Sequence, residues 1–546
     1  MPEMRQRETI PDRPQASHRI GEPAECSPPG KVREHKSRWA TKIPIGWLDS
    51  SLFICLAAFV LCAPLATKGA VTAIRAALLV WILKILVEGR KFHRQPLVLP
   101  LLWFLLLTGA SSAFSSEPLF SWGAMRGVTE LTIAILVGQS LNSLRQIKIL
   151  VGLLLAACLI SVAITAWQYT AGIGVKLIAD DQASVSLAQF GLLQGDIIQK
   201  VNQRKVYTSP ELVASLDRLP PGSGLELTLV REITAAHLDV WMGDPVVHLR
   251  VRIGRKTALE ETLKGPVVRF ARGRPLRADG TLKHYFPYSE VMVLIGLVVW
   301  GLLVAPGSIG IGPRIALTLA FLAIAAVVVL TLTRISLVSL LLGCFLIGWK
   351  DASRKTRRLI LVAVPLILLL SMTWVQKRRA QKWLDLNDPG TQYRFLMWRD
   401  SIKLIRAHPL LGVGLGSVMG HWQRWDLEAY RRFPLKSHFH STPIQFAVEC
   451  GLPTLAVWLW LMAAYGIFLI RLLTMCRESG WFPHGLASGI LGGFLAVLLT
   501  SLLQYNFGDV EAMIIFWFLM GLTFALERVV VENYRTPRVA ERAGKA

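Results

Sequence analysis

Long apolar runs of about 15–25 residues recur along this chain and alternate with clusters of Lys and Arg. A helix that crosses a bilayer needs about 20 apolar residues, so the alternation is typical of a polytopic membrane protein. Backbone polar groups find no water in lipid, which predicts that the runs are helices. Composition agrees, because 53% of the 546 residues are hydrophobic and only 18% are charged.

The apolar runs predict an α-helical polytopic membrane protein with about 12 transmembrane helices. Their approximate limits are residues 49–66, 69–88, 97–114, 122–140, 148–172, 287–305, 315–333, 335–349, 359–375, 441–470, 485–504 and 511–527. The positive-inside rule puts both termini in the cytoplasm, because each loop then on that side holds Lys or Arg. Arg334 is the only charge between residues 315 and 349, and we break that run there.

Two long segments fall on the outer side of this predicted topology. The predicted organisation is a disordered basic tail (1–46), spans one to five (47–172), an outer insert (173–286), spans six to nine (287–375), an outer loop (376–440), spans ten to twelve (441–527) and a cytoplasmic tail (528–546). The polar, Pro-rich start argues against a signal peptide. The seven cysteines lie mostly in apolar runs without C-x-x-C spacing, which predicts neither a disulfide framework nor a zinc site.

The outer insert has the pattern of a folded α/β domain. Residues 191–232 predict the order strand, turn, strand, helix, turn, strand. Ser209 is the expected N-cap of the helix and Pro210 its first residue. Alternating leucines in "LELTL" predict a half-buried final strand.

This pattern resembles a bacterial PDZ domain, with a core at about residues 185–255. PDZ domains bind extended C-terminal peptides by strand addition, so the resemblance implies a peptide or protein partner. The carboxylate-binding loop of such domains is not recognisable upstream of the core. A scaffold that docks on a neighbouring protein therefore remains the alternative.

The second outer loop is strongly basic. It carries twelve Lys and Arg against five Asp and Glu, which is unusual on the outer side of a membrane protein. A basic surface favours an anionic ligand. Attraction to anionic lipid headgroups is the simpler alternative. No nucleic-acid partner is expected.

Two histidines, His438 and His440, stand just before the tenth predicted span. An imidazole can accept a proton from a hydroxyl near neutral pH, so His440 is a candidate general base; its simpler role is a polar anchor at the membrane boundary. Glu449, nine residues on, is a weak candidate to orient it. In a strand the two rings would point to opposite faces, and no third ligand follows at zinc spacing, so we expect no metal.

Three arginines are candidates for an anion site at the predicted outer face. Arg126 lies near the outer end of span four, Arg334 at the break, and Arg394 in the second loop. A guanidinium donates two bonds at once to phosphate and stays charged. Snorkelling to headgroups is the favoured reading for Arg126, whereas Arg334 at membrane level favours function. A base beside phosphate-binding arginines suits transfer from a lipid-linked phosphate donor to a sugar hydroxyl.

Spaced motifs then resemble the bacterial O-antigen ligase family. His440 and Ser441, nine residues, Gly451, two residues and Thr454 match its H-[N/S/Q]-x9-G-x-x-[G/T/Y] motif. Segments similar to other parts of the family are "RFLMWRDSIKLIRAHPLLGVGLGS" (394–417), "LTLTRISL" (330–337) and "KHYFPYSEVMVLIGLVV" (283–299). The resemblance covers roughly residues 283–470, and the PDZ-like insert departs from the family pattern.

The resemblance implies an inverting, metal-independent glycosyltransferase in a bacterial inner membrane, with a periplasmic active site and no cofactor. His440 would deprotonate the acceptor hydroxyl, while Arg334 and Arg394 would hold the diphosphate of an undecaprenyl-diphosphate-linked glycan. Arg126 and His438 are additional candidates. Ser441, Gly451 and Thr454 would be structural.

The motif does not identify the acceptor. A ligase would use lipid A–core, a polymerase a growing glycan, and an oligosaccharyltransferase a Ser or Thr of a protein. The ligase or polymerase hypothesis comes first and protein glycosylation second. A transporter or a scaffold is a third class, and it should tolerate loss of His440.

Overall fold

Long helices make up most of the structure, a computed structural model that describes residues 45–88, 93, 95–220, 224–232, 246–253, 263, 268–275, 277–282, 284–379, 386–387, 389–433 and 438–543. The predicted disordered tail lies outside these residues, except for residues 45–46 at the start of the first helix. One antiparallel sheet interrupts the helices. It lies between residues 173 and 286, where the sequence predicts the outer insert.

The helices fall into two sets on either side of the sheet. Those before it are α1 (Ile45–Cys62), α2 (Thr67–Glu88), α3 (Val98–Ala113), α4 (Pro118–Val128), α5 (Thr132–Ser140) and α6 (Leu144–Ala171). Two short helices, α7 (Asp181–Ala188) and α8 (Ser209–Asp217), belong to the insert. Those after it are α9 (Tyr285–Val304), α10 (Ile311–Leu330), α11 (Arg334–Asp351), α12 (Arg354–Arg379), α13 (Pro389–Ala407), α14 (Ser417–Gly420), α15 (Glu428–Arg432), α16 (Thr442–Glu449), α17 (Gly451–Met475), α18 (Trp481–Leu503) and α19 (Val510–Ala543).

Many of the helices suit a membrane. Within the described residues eight are long and apolar enough to cross one, and they are Thr67–Val87, Leu144–Ala171, Tyr285–Val304, Ile311–Leu330, Arg354–Trp374, Gly451–Glu478, Trp481–Leu503 and Val510–Glu532. Gly46–Cys62 and Val98–Ala113 are shorter apolar helices. Each of the twelve predicted spans overlaps a helix, and the predicted break at Arg334 is confirmed because α11 begins there. The chain is a multi-pass membrane protein, while the number of twelve crossings stays a prediction.

The centre of the bundle is a close contact between α9 and α18. Gly485, Gly489 and Gly493 are four residues apart and so share one face of α18. A Cβ at Gly489 would lie 2.6 Å from the Cα of Val298, and one at Gly485 would lie 2.8 Å from the Cα of Leu302. Small residues let the two backbones approach, which is how helices gain packing energy in lipid.

The insert forms one antiparallel sheet of six strands that differ in length. Its strands are β1 (Gly174–Ala179), β2 (Ile197–Val201), β3 (Arg204–Lys205), β4 (Leu225–Glu232), β5 (Val246–Ile253) and β6 (Val268–Gly273). They pair in the order β5-β4-β2-β1-β6, and β3 pairs with β2. The register pairs Val175 with Ile198 and Leu177 with Phe270. Side chains of β1, β2, β4 and α8 bury a separate apolar core on this sheet.

The elements predicted for residues 191–232 are largely confirmed. Strands β2, β3 and β4 and helix α8 occur in the predicted order, although residues 221–223 of the last turn lie outside the described residues. The predicted N-cap was wrong by one residue. Thr208 caps α8, its side chain accepting from the N–H of Glu211, and Ser209 is the first helical residue. The likeness to a PDZ domain stays a prediction, since part of the expected core of that domain also lies outside the described residues.

The insert leaves and returns to the helices at one place. The N–H of Ile173, just after α6, donates to the carbonyl of Gly273 at the end of β6 (2.8 Å). After β6, the N–H of Ala278 donates to the carbonyl of Leu330 (3.0 Å), the last residue of α10. The insert is therefore anchored beside the α10–α11 junction, where Arg334 lies.

The glycine contact predicts that Gly489→Ala destabilises the protein, because the new methyl group meets the Val298 backbone and not a movable side chain. Overpacking of this kind costs about 1–3 kcal/mol. We expect a lower thermal unfolding midpoint in detergent. The matched control is Gly152→Ala on α6, where a Cβ would have nothing within 4 Å. Equal midpoints for the two variants would contradict the close α9–α18 contact.

Candidate active site

His440 lies in a short segment that ends at helix α16. The backbone at His440 has φ 49°, a region that residues other than glycine seldom occupy. Its ring Nδ1 lies 3.0 Å from Oε1 of Gln504, the residue that follows α18. Its backbone N–H donates to Nδ1 of His438 (3.1 Å). Gln504 therefore holds the ring, and His438 holds the backbone beside it.

The Gln504 contact defines the proton on the His440 ring. An amide Oε1 can only accept, so Nδ1 carries the hydrogen and Nε2 is the ring nitrogen without one. Gln504 was not predicted from the sequence, in which Glu449 was the candidate to orient His440. The Glu449 carboxylate accepts from the N–H of Val418 (3.3 Å). A polar residue closing a neighbouring span was the signal that could have pointed to Gln504.

Both imidazoles are neutral at physiological pH. The pKa of His440 is lowered to about 4, chiefly by burial and then by the positive charge of Arg394, while the Gln504 bond acts in the opposite direction. Burial also lowers the pKa of His438 well below its usual value, with further lowering by His440, Arg394 and His284. A buried imidazole beside a guanidinium cannot easily take a second positive charge. His440 therefore presents an unprotonated Nε2.

A buried polar network fixes Gln504. Thr442, at the start of α16, donates through its backbone N–H and its hydroxyl to the carbonyl of Gln504 (3.2 and 3.1 Å). The Thr442 hydroxyl also lies 2.8 Å from Oδ1 of Asn506. The Asn506 amide in turn donates to Glu290 on α9 (3.2 Å). The acceptor that orients His440 is thus tied to three helices.

Helix α13 positions the other side of the histidine segment. The indole Nε1–H of Trp398 donates to the carbonyl of Phe439 (2.8 Å). The buried Tyr393 ring meets the His440 ring edge-on, with 5.9 Å between centroids. Arg394 stands between these two anchors in sequence, and its charge acts on both histidines. This arrangement explains the spacing R-x-x-x-W, since one helix face supplies the charge and the anchor.

Helix α13 carries apolar residues on an exposed side and on a buried side. Phe395 and Ile402 are 52% and 48% exposed, whereas the buried face carries Tyr393, Met397 and Leu404. The exposed pair remains compatible with contact to lipid, as an interfacial helix requires. The buried side was not recognisable because its apolar positions are interrupted by Asp400 and Ser401, which are also buried.

The glycines of the two family-like motifs meet each other. The N–H groups of Val413 and Gly414 donate to the carbonyls of Val448 (3.0 Å) and Glu449 (2.9 Å). Gly451 has φ 83°, and a Cβ there would lie 2.1 Å from the carbonyl oxygen of Leu410. Only glycine permits this approach. The H-P-L-L-G-V-G loop thereby locks the turn between α16 and α17.

Ser441 and Thr454, the remaining motif residues, are both buried at the start of a helix. Ser441 is buried at the N-cap of α16 without a side-chain capping bond. The Thr454 hydroxyl, also buried, donates to the carbonyl of Cys450 (2.8 Å), the N-cap residue of α17.

Arg334 is the first residue of α11 and is half-buried. Leu332 just before it has φ 55°, and the N-cap Thr333 makes no side-chain capping bond. The start of a helix carries a partial positive charge, so a guanidinium here adds to an end that already favours anions. The Ser336 and Ser289 hydroxyls, 2.7 Å apart, join α11 to α9.

The structure thus brings His438, His440 and Arg394 together, while the convergence of Arg334 on His440 stays a prediction. The expected opposite orientation of the two histidines was wrong: their ring centroids lie 4.4 Å apart, because the positive φ of His440 replaces an extended strand. The side chain of Arg126 lies outside the described part of the chain. Among the described residues, no group of three His, Cys, Asp or Glu side chains is arranged to hold a metal ion.

Comparison with known proteins agrees with the motifs. The model of the O-antigen ligase family matches residues 319–459, which include Arg334, Arg394 and His440. No curated protein matches the chain. The matched region contains the helix junction of Arg334, helix α13 and the docked glycine motifs. The chain is therefore a multi-pass membrane protein with a segment, residues 319–459, that is similar to the O-antigen ligase family.

Proposed function

We propose that this protein transfers a glycan from undecaprenyl diphosphate to an acceptor hydroxyl at the periplasmic face of a bacterial inner membrane. The observation that carries the proposal is a neutral imidazole, His440, oriented by Gln504 beside the charge of Arg394. The similarity of residues 319–459 to the O-antigen ligase family supports the reaction class. The basic second outer loop supports an anionic donor.

In the proposed reaction the acceptor hydroxyl gives its proton to Nε2 of His440. Its oxygen attacks the anomeric carbon, and the bond from that carbon to the diphosphate oxygen breaks with the electron pair leaving on the diphosphate. A single displacement inverts the anomeric centre. Undecaprenyl diphosphate departs, and the proton on His440 returns to water. Diphosphate is already a good leaving group, so the site needs to orient the reactants and stabilise charge.

Arg394 and Arg334 are proposed to hold the diphosphate. Positive groups placed where negative charge grows stabilise the transition state more than the ground state. The donor would also tune the base. A bound diphosphate brings negative charge beside His440 and offsets Arg394, which raises the pKa of His440 from about 4 toward neutral pH. The imidazole would become a competent base only when the donor is present.

The acceptor defines the alternatives. Lipid A–core makes the protein a ligase and a growing glycan makes it a polymerase. A protein acceptor would make it an O-oligosaccharyltransferase, and the PDZ-like insert favours that option to the extent that its sheet and α8 bind a protein partner. A transporter or a scaffold would not need the base.

We expect His440→Ala to lower glycan transfer by about 10²–10⁴-fold, because a positioned general base contributes that much. The measurement is transfer by purified protein from a lipid-linked glycan to candidate acceptors, with the product identified. His408→Ala is the control, since His408 is an exposed imidazole in the same loop. Transfer at the wild-type rate by correctly inserted His440→Ala would remove the base and favour the transporter or scaffold class.

Gln504 is proposed as a positioning residue, and pH profiles test it. Gln504→Glu keeps the acceptor atom and adds negative charge, which raises the pKa of His440, so the acid limb of kcat should move to higher pH. Gln504→Leu should lower kcat about tenfold by loss of one hydrogen bond, with little change in donor KM. Gln423→Glu makes the same charge change at an exposed site and should leave the profile unchanged. An unshifted acid limb in Gln504→Glu would show that Gln504 does not act on His440.

A further inference from the structure

We propose that Arg277 binds a phosphate group of the lipid-linked donor together with Arg334, an inference that rests on the proposed transferase function. Arg277 lies in the segment that returns from β6 to α9. Its side chain is nearly enclosed, with the residue 6% exposed. Buried arginines are uncommon unless an anion neutralises them.

The segment that carries Arg277 is fixed in place. The N–H of Ala278 donates to the carbonyl of Leu330 (3.0 Å), and Nε2 of Gln168 donates to the carbonyl of Gly280 (3.0 Å). Gly280 has φ 54°, and a Cβ there would lie 2.3 Å from the ring of Tyr288. The backbone beside Arg277 therefore has a defined position, as a binding residue requires.

That position adjoins the proposed active site on two sides. Leu330, which accepts from Ala278, is the last residue of α10 and stands four residues before Arg334. The Arg277 guanidinium lies 4.0 Å from the ring centroid of Tyr285, which stacks on His284 at 4.8 Å. His284 acts electrostatically on His438. Contacts through Ala278 and Leu330 thus connect Arg277 to the Arg334 junction, and contacts through Tyr285 and His284 connect it to the histidine segment.

The charge of Arg277 is not neutralised by the described chain. Within the described residues no carboxylate lies within ion-pair distance of Arg277, and its buried Nε–H has no acceptor. The Tyr285 face offsets part of the cost of removing the cation from water. A desolvated cation without an anion remains unfavourable. A bound anion would complete both the charge and the hydrogen bonding.

Phosphate is the anion that fits best. The guanidinium fork donates parallel bonds to phosphate oxygens. The adjoining helix start of α11, with Arg334, favours the same chemistry. Such a phosphate could come from the donor diphosphate or from a phospholipid headgroup. The proposal commits to the donor, because Arg334 and Arg394 would hold that diphosphate in the proposed reaction.

The test uses two probes, undecaprenyl diphosphate and phosphatidylglycerol. The binding of each to the full-length protein is measured in detergent. Loss of charge-assisted bonds in Arg277→Gln should raise the Kd for undecaprenyl diphosphate about 10–100-fold. Arg277→Lys keeps the positive charge but loses the planar guanidinium, so its Kd for undecaprenyl diphosphate should lie between those of wild type and Arg277→Gln. Arg269→Gln, which removes an exposed arginine from β6, is the matched control and should change the Kd less than about twofold.

Thermal unfolding without ligand separates binding from a structural role. A neutral side chain in place of an uncompensated buried cation should not lower the midpoint of Arg277→Gln. Its stabilisation by undecaprenyl diphosphate should be lost. A lower unfolding midpoint with unchanged probe binding would mean that Arg277 acts only by packing on Tyr285. That result would overturn the inference. If Arg277→Gln cannot be purified as a single species, Arg277→Lys decides, and an unchanged Kd there would also overturn it.

The remaining outcomes distinguish the two proposals. Wild-type protein that does not bind undecaprenyl diphosphate would overturn the proposed function itself. Wild-type binding that Arg277→Gln retains in full would overturn only the role of Arg277. Loss of phosphatidylglycerol binding alone would assign the site to a membrane lipid, which also contradicts the inference.

Discussion

The hydrogen bond from His440 Nδ1 to Gln504 Oε1 joins the two halves of the candidate site, and the other contacts support it. Thr442 and Asn506 fix the backbone and side chain around Gln504. Trp398 fixes the backbone before His440 from the opposite side. Since the bond assigns the ring proton to Nδ1, it also decides that Nε2 is the atom able to accept a proton.

A second constraint is the close approach of backbone segments to each other, which glycines permit in the helix bundle and at the candidate site. In the bundle, Gly485 and Gly489 bring α18 against α9, and Glu290 and Gln504 lie on or beside these two helices. At the site, Gly451 lets the carbonyl of Leu410 approach the turn into α17. Motif residues that act by packing therefore also determine where the imidazole stands. Their spacing is a packing requirement as much as a chemical one.

Sequence alone predicted the helix layout and the break at Arg334, because apolar length and a single charge suffice for both. It also predicted β2, β3, α8 and β4, since alternation and turn residues are local signals. It could not predict Gln504 or the meeting of His438 and His440. The first is a contact between residues 64 apart in sequence, and the second depends on a positive φ that no residue type at 440 announces. The buried Arg277 was missed because its burial arises from the insert docking on α10.

The proposed reaction requires one neutral imidazole and the arginines to share a pocket with the donor diphosphate. The most direct measurement is an experimental structure of the full-length protein with an unreactive undecaprenyl-diphosphate glycan bound. In that structure we expect diphosphate oxygens within hydrogen-bond distance of the Arg334 and Arg394 guanidinium groups. We also expect Nε2 of His440 on the side of the anomeric carbon opposite the diphosphate, with room for one hydroxyl between them. A diphosphate bound elsewhere, or an Nε2 that faces lipid, would contradict the proposed reaction.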